Sequence, residues 1–145
     1  MLSLPDVNVL VALAWPTHVH HELVHAWVER QGGEPWATCP LTQSGFVRVS
    51  SNRQVIPAAK SPREAILALA AMIARPGHVF LSDKVSIADR KWIAWEKLVG
   101  HRQVSDAHLL AVALQHGAAL VTLDRGVPGL VPVGFDQKQS VIVIE

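Results

Sequence analysis

The sequence predicts an α/β sandwich with a mostly parallel central sheet. Short apolar segments alternate with helical patterns along the whole chain, which is the order expected of strands joined by crossover helices. The segment from Val104 to Arg125 contains one example of each element. Its helix is apolar on almost every side and is therefore expected to be buried. Its strand is continuously apolar, which is typical of the centre of a parallel sheet.

Glycine and proline mark several of the predicted element boundaries. Gly32-Gly33 ends the second helix, and Pro40 fits the first turn of the third helix. The predicted strands are 2–8 (which breaks into a turn or helix near Asp6), 36–39, 78–81, 119–123, 131–135 and 141–144. The predicted helices are 9–15, 20–31, 41 to about 50, 62–74, 86–99 and the central one from Ser105-Asp106 to Gly117, with a loop at 51–61. We find no repeat or linker, so residues 1–145 are expected to form one domain.

Composition places few limits on the partners of this chain. Its 13 basic and 12 acidic residues give a net charge of +1, so any nucleic-acid surface must be a local patch. The single Cys39 excludes an internal disulfide. No secretory signal and no apolar run long enough to span a membrane is present, so we expect a soluble, cytoplasmic protein without a membrane partner.

Three aspartates fall at one predicted edge of the sheet. Asp6 and Asp124 follow apolar strands, and Asp106 begins the central helix. The carboxyl ends of parallel strands and the start of the next helix share one edge, where ligands bind. Negative charges crowded together need a cation, and oxygen ligands suit Mg²⁺ or Mn²⁺, which can activate water for phosphate hydrolysis. Singly, Asp106 could instead be a helix cap, Asp124 and Asp6 turn residues, and Asn8 the cap of the first helix.

Four segments resemble the motifs of PIN domains. They are 4–10 (LPDVNVL), 40–48 (PLTQSGFVR), 105–113 (SDAHLLAVA) and 120–126 (LVTLDRG), and they occur in the right order over nearly the whole chain. The resemblance is closest to the VapC-type toxins of bacterial toxin–antitoxin pairs. It implies a three-layer α/β/α fold and a metal-dependent endoribonuclease acting on structured RNA such as tRNA or rRNA. It also implies a homodimer inhibited by a VapB-type antitoxin whose tail covers the cleft.

The resemblance assigns roles to individual residues. Asp6, Asp106 and Asp124 match the family's Mg²⁺ or Mn²⁺ ligands, and Asn8 and Thr122 match the hydrogen-bonding residues beside them. The chain departs from the family at Gln43, where the family usually has Glu. Gln43 keeps a carbonyl oxygen but carries no charge, so metal affinity should fall.

The uncharged Gln43 leaves two functional hypotheses open. In the first, the chain is an active endoribonuclease in which Gln43 orients water or lowers the rate. In the second, catalysis is lost and the fold serves as an RNA- or protein-binding module. Gln43 could also be an ordinary polar helix residue.

Other patterns are weaker. His21-Glu22-Leu23-Val24-His25 matches the zinc-protease motif, although four of the eight histidines lie in 18–25 and a solvated or subunit-facing cluster explains the match better. Arg48 and Arg53, with Lys60 and Arg63, could guide RNA phosphates or line a solvated loop.

The predicted helix 86–99 and the turn before it contain further residues of interest. Trp92 and Trp95 would share one face of that helix, and Asp89 would form a capping box with Ser86. Asp83 could approach the acidic edge but more simply begins a turn.

Overall fold

A computed structural model describes residues 1–57 and 60–145. Five parallel strands form one sheet in the order β3-β2-β1-β4-β5. The strands are β1 (Ser3–Pro5), β2 (Trp36–Thr38), β3 (His78–Phe80), β4 (Ala119–Thr122) and β5 (Val141–Val143). The helices are α1 (Val7–Ala14), α2 (His21–Arg30), α3 (Pro40–Ser50), α4 (Pro62–Ile73), α5 (Val104–Gln115) and α6 (Gln137–Ser140). The prediction of a parallel α/β sheet is confirmed.

The order of the strands creates a crevice between β1 and β4. From the central β1 the chain builds β2 and β3 on one side of the sheet, then returns to build β4 and β5 on the other side. Pro5 pairs with Val121, and the Asp6 amide donates to the Val121 carbonyl at 2.9 Å. Open parallel sheets bind ligands where the strand order reverses, at the carboxyl ends of the strands. Asp6 and Asp124 follow the two strands that flank this point.

The sheet has a packed layer of side chains on each face. Leu120 of β4 packs in a core with α5, whereas the next residue, Val121, packs in a separate core with α1 and α2. Adjacent strand residues point to opposite faces, so β4 is covered on both sides, as its continuous apolar sequence predicted. A third core, around Phe46, joins α1 to α3 and α4. These layers form the three-layer α/β/α sandwich.

The prediction of a helix at 86–99 is wrong. The segment contains turns and one short 3-10 helix, Trp95–Lys97. Ser86 Oγ accepts from the Ala88 amide and Asp89 Oδ1 accepts from the Lys91 amide, so no capping box forms between Ser86 and Asp89. Local bonds of this type compete with helix formation. Trp92 and Trp95 consequently do not share a helical face; Trp92 packs on Phe135.

The predicted strand at 131–135 is also wrong. Pro132 has no amide to donate to a sheet, and Gly134 has a φ of +98°, which lies outside the extended region. The segment instead forms turns and leads into α6, which Asp136 caps by accepting from the Lys138 and Gln139 amides.

The remaining boundaries differ from the prediction by at most three residues. Helix α1 begins two residues earlier than predicted, at Val7, because Asp6, and not Asn8, caps it. Residues 58–59 of the predicted loop 51–61 lie outside the described residues. Within 1–57 and 60–145, no helix is both long enough and apolar enough to cross a membrane.

Candidate active site

Asp6 follows β1 and lies at the crevice between β1 and β4. Its side chain is 6% exposed, and its Oδ1 accepts from the Val9 amide at 2.9 Å as the N-cap of α1. Burial raises the pKa of this carboxyl, while hydrogen bonding from Thr122 and from the Val9 amide opposes the rise. The nearby Asp124 carboxylate raises it further. Asp6 is therefore a buried acid with hydrogen-bond partners and a negative neighbour.

Thr122 and Asp124 lie at the carboxyl end of β4. The Thr122 hydroxyl accepts from the Asp124 amide at 3.0 Å and is close enough to Asp6 to lower the pKa of that carboxyl. Asp124 Oδ1 accepts from the Gly126 amide at 2.7 Å, which forms the predicted turn. Asp124 is exposed, whereas Asp6 beside it is buried.

Asp106 lies in the first turn of α5, where its side chain is half-buried. The helix begins two residues earlier, at Val104, so Asp106 is not its cap. Burial raises the pKa of Asp106 to about 6, and the charges of Asp6 and Asp124 contribute to the rise. Three carboxylates from β1, β4 and α5 are thus close enough to repel one another.

This acidic cluster has the chemistry of a hard-cation site but is more open than a closed metal cage. Among the described residues, no ion pair links Asp6, Asp106 or Asp124 to a basic side chain, and no three acidic, His or Cys side chains converge tightly enough to enclose an ion. Mg²⁺ binds through one or two carboxylates and keeps several waters. The donor set therefore fits Mg²⁺ or Mn²⁺ held partly through water.

Gln43 is engaged with a neighbouring strand. It lies in the first turns of α3, and its Nε2 donates to Thr38 Oγ1 at 3.0 Å. The same Thr38 oxygen lies 2.8 Å from His78 Nε2. Sequence reasoning missed this network, since nothing in the spacing of Gln43, Thr38 and His78 signals that they meet.

The other predicted residues lie in different surroundings. The Asn8 side chain is exposed, and its backbone amide donates to Asp6. Arg48 occupies the last turn of α3, about 12 Å along the axis from the helix start at the carboxyl edge of the sheet. Arg53 follows in an exposed turn beyond it. The helix therefore carries Arg48 away from the acidic edge that Gln43 is near.

Three basic residues beside elements that end or begin at the carboxyl edge of the sheet were not predicted. Lys84 follows β3, Arg102 precedes α5 and Arg125 follows Asp124, and all three are exposed. They could have been identified from the sequence, because each lies close in the chain to an acid at the end of an element. Asp83 begins a turn, as predicted, with its Oδ1 accepting from the Val85 amide, and its Oδ2 also lies 2.7 Å from His108 Nε2 of α5.

Comparisons with known proteins agree with this architecture. The family model described as PIN domain matches residues 3–129. Ribonuclease VapC38 of Mycobacterium tuberculosis is 48% identical over 126 residues, which cover 87% of each chain. Ribonuclease VapC39 of the same species is 41% identical over 93% of this chain and 97% of the relative.

Solved structures give the same fold at lower identity. The sarcin-ricin-loop-cleaving toxin VapC20 of Mycobacterium tuberculosis superposes with a TM-score of 0.61 at 17% identity, covering 93% of this chain and 97% of that one. VapBC2 of Rickettsia felis, bound to a DNA fragment from its promoter, superposes with a TM-score of 0.60 at 14% identity, covering 94% of this chain and 100% of that one. With a family model over 127 residues (3–129) and VapC relatives above 40% identity, this chain belongs to the PIN-domain family and, within it, to the VapC group.

Proposed function

We propose that this chain is a toxin endoribonuclease that hydrolyses structured RNA such as tRNA or rRNA with the help of Mg²⁺ or Mn²⁺. Asp6, Asp106 and Asp124 are the metal-binding residues in this proposal. The observation that carries it is the cluster itself, in which each acid comes from a different element and in which burial, together with the charges of Asp6 and Asp124, raises the pKa of Asp106. Repulsion of this kind is unfavourable unless a cation is present.

The residues around the acids have distinct tasks in this proposal. When bound, the cation supplies an activated water and stabilises charge on the phosphate. Thr122 and the Val9 amide hold the Asp6 carboxylate in place. The hydrogen bond from the Gly126 amide holds the Asp124 carboxylate in place. Lys84, Arg102 and Arg125 are exposed beside the ends of β3, α5 and β4 and can hold RNA phosphates, although Arg125 also pairs with Glu145 at 3.5 Å. Arg48 and Arg53 can extend this contact along α3.

Cleavage of total RNA by the antitoxin-free protein tests the proposal. We expect discrete products in Mg²⁺ or Mn²⁺ and none in EDTA. Asp6→Asn should reduce the rate by at least about 100-fold, since several kcal/mol of charge stabilisation depend on the metal. Asparagine is as good a helix cap as aspartate, so the Val9 contact and the fold survive the change.

Asp136→Asn is the matched control because it makes the same substitution at the N-cap of α6. Its cleavage rate should equal that of the unaltered protein. Metal-independent cutting, or equal rates for Asp6→Asn and Asp136→Asn, would refute the proposed site.

A second function, RNA or protein binding without catalysis, is favoured by one observation. Gln43 carries no charge, and its side-chain amide donates a hydrogen bond to Thr38. If the nuclease is active but weakened at this position, Gln43→Glu should lower the Mg²⁺ concentration needed for half-maximal cleavage several-fold. A folded protein that binds RNA, cuts none and stays inactive as Gln43→Glu would be a binding module; a slower Gln43→Glu enzyme would contradict this explanation of Gln43.

The expected partner is a VapB-type antitoxin. We propose that the chain forms a homodimer in the cytoplasm and that the antitoxin tail covers the acidic crevice; the VapBC2 complex and the family resemblance support the partnership. Co-purification followed by removal of the antitoxin should release the RNA-cleaving activity. The mass of the free toxin in light scattering should be twice that of the 15.8 kDa chain.

A further inference from the structure

Helix α2 carries two histidines that the proposed nuclease chemistry does not use. His21 and His25 lie one helical turn apart, on the same face, and their ring centroids are 5.7 Å apart. They are the two histidines of the motif His21-Glu22-Leu23-Val24-His25. The side chain of His25 is 49% exposed, and His21 is partly exposed.

The tautomer of the neutral His21 ring follows from its contact with α1. His21 Nδ1 lies 2.7 Å from the carbonyl oxygen of Ala12. A carbonyl can only accept a hydrogen bond, so Nδ1 must carry the proton. The neutral ring therefore has its free lone pair on Nε2, which is the atom that a metal ion would bind.

His25 has an acidic partner at Nδ1, the same ring atom through which His21 contacts Ala12. Its Nδ1 lies 3.5 Å from Glu29 Oε1, one turn further along α2. A carboxylate also accepts, so this contact favours the proton on Nδ1 and the lone pair on Nε2. The second ring nitrogen of a metal-binding histidine usually donates a hydrogen bond to a backbone carbonyl or a carboxylate. His21 makes such a bond to Ala12, and His25 Nδ1 faces the Glu29 carboxylate at the longer distance of 3.5 Å.

The spacing of the rings is also suitable. Two imidazoles on one tetrahedral zinc, with Zn–N bonds of about 2.0–2.1 Å, have ring centroids about 5 Å apart. The observed 5.7 Å is close to this value, and small side-chain rotations would close the difference.

We propose that His21 and His25 form a two-histidine chelate for a late transition-metal ion such as Zn²⁺, separate from the carboxylate cluster. Imidazole nitrogen favours Zn²⁺, Ni²⁺ and Cu²⁺, whereas carboxylate oxygen favours Mg²⁺ and Mn²⁺. Among residues 1–57 and 60–145, no third acidic, His or Cys ligand converges on this pair, so water completes the coordination. Zinc proteases use three protein ligands, and the present pair therefore predicts binding, not proteolysis.

The neighbouring His18 and His20 provide an internal comparison. His18 Nδ1 accepts a hydrogen bond from the His20 amide at 3.0 Å. The proton of a neutral His18 ring is therefore on Nε2, and no lone pair is free for a metal. His20 is exposed and provides a matched control for His25, because both substitutions remove one solvent-facing imidazole.

Isothermal titration calorimetry tests the proposal. Zn²⁺ is titrated into the untagged protein in the presence of saturating Mg²⁺. We expect one Zn²⁺ per chain, with affinity reduced at least about tenfold in His21→Gln and in His25→Gln and unchanged in His20→Gln. Zn²⁺ should also raise the melting temperature of the unaltered protein and of His20→Gln but not that of His25→Gln.

Loss of metal binding can be distinguished from loss of folding, because His25 is on the surface and its replacement leaves the fold intact. Cu²⁺ should give an electron paramagnetic resonance spectrum with two coordinated nitrogens, reduced to one in His25→Gln. Equal Zn²⁺ affinity in the unaltered protein and His25→Gln, a tenfold loss in His20→Gln, or no binding by the unaltered protein would each overturn the proposal.

Discussion

Asp6 combines a structural and a chemical role in one carboxylate. Its Oδ1 caps α1 through the Val9 amide, which stabilises the helix and fixes the direction of the side chain. The same carboxyl is buried beside Asp124 and near Asp106, so its charge is unfavourable in the metal-free protein. Helix capping thus holds an acid in a position that charge repulsion alone would disfavour.

The raised pKa of Asp106 predicts how the metal-free protein responds to pH. The pKa is about 6 in the folded protein against an ordinary value of 3.8, so the folded state binds the proton more tightly. The stabilisation is therefore greatest at low pH and is lost as pH rises from about 4 to above 6. We expect a loss of about 1 kcal/mol between pH 4.5 and 7.5, discounted because the carboxyl is only half-buried.

Urea unfolding in EDTA at these two pH values measures the effect. Asp106→Asn should remove this part of the pH dependence and be more stable than the unaltered protein at pH 7.5. Asp136→Asn, which changes an acid outside the cluster, should keep the pH dependence. An identical dependence in Asp106→Asn and the unaltered protein would show that the pKa of Asp106 is not raised in the folded protein.

At the scale of elements, α1 and α3 meet at a glycine. A Cβ built on Gly45 of α3 would lie 2.5 Å from Cγ2 of Val7, the first residue of α1. Contacts this short do not occur without movement of one side. The close approach keeps α3, which carries Gln43, against the helix that Asp6 caps.

Gly45→Ala should therefore lower the free energy of unfolding by about 1–2 kcal/mol, since overpacking outweighs the better helix propensity of alanine. In a Val7→Ala background the clash is absent, and the same change should stabilise the protein by up to about 1 kcal/mol. Denaturant unfolding of the four proteins measures both effects. A change of equal sign in the two backgrounds would contradict this packing model.

The elements that could be predicted are those whose local signals agree with their packing. Residues 62–73 form α4 as expected, and Ser61 and Glu64 form a capping box at its start. The segment 86–99 has a helix-like pattern, but the bonds of Ser86 and Asp89 to nearby amides favour turns. Such competition between two local structures is decided by tertiary contacts, here including Lys97 Nζ donating to the Val131 carbonyl.

The candidate site was predictable to the same extent. Asp6, Asp106 and Asp124 were found because a parallel sheet brings the carboxyl ends of its strands to one edge. The contact of Gln43 with Thr38 could not be read from the sequence, since it depends on how α3 packs beside β2. The path of α3 away from the acidic edge likewise separates Arg48 from the acids in a way that spacing does not reveal.

At the scale of the whole molecule, the strand order is what assembles the acids. β1 and β4 are adjacent in the sheet although more than 100 residues separate them in the chain. The crevice forms where the chain reverses its order of strand addition, and α5 starts beside it with Asp106 in its first turn. The fold therefore places three acids in one crevice, and their unbalanced charge is the basis of the proposed metal site.

Binding of Mn²⁺ to the antitoxin-free protein, measured from the electron paramagnetic resonance signal of the free ion, tests this central claim most directly. We expect Asp106→Asn to weaken binding at least about tenfold, a change of about 1.4 kcal/mol, and Asp136→Asn to leave it unchanged. Mn²⁺ affinity that is equal in all three proteins would show that the acidic crevice is not the metal site.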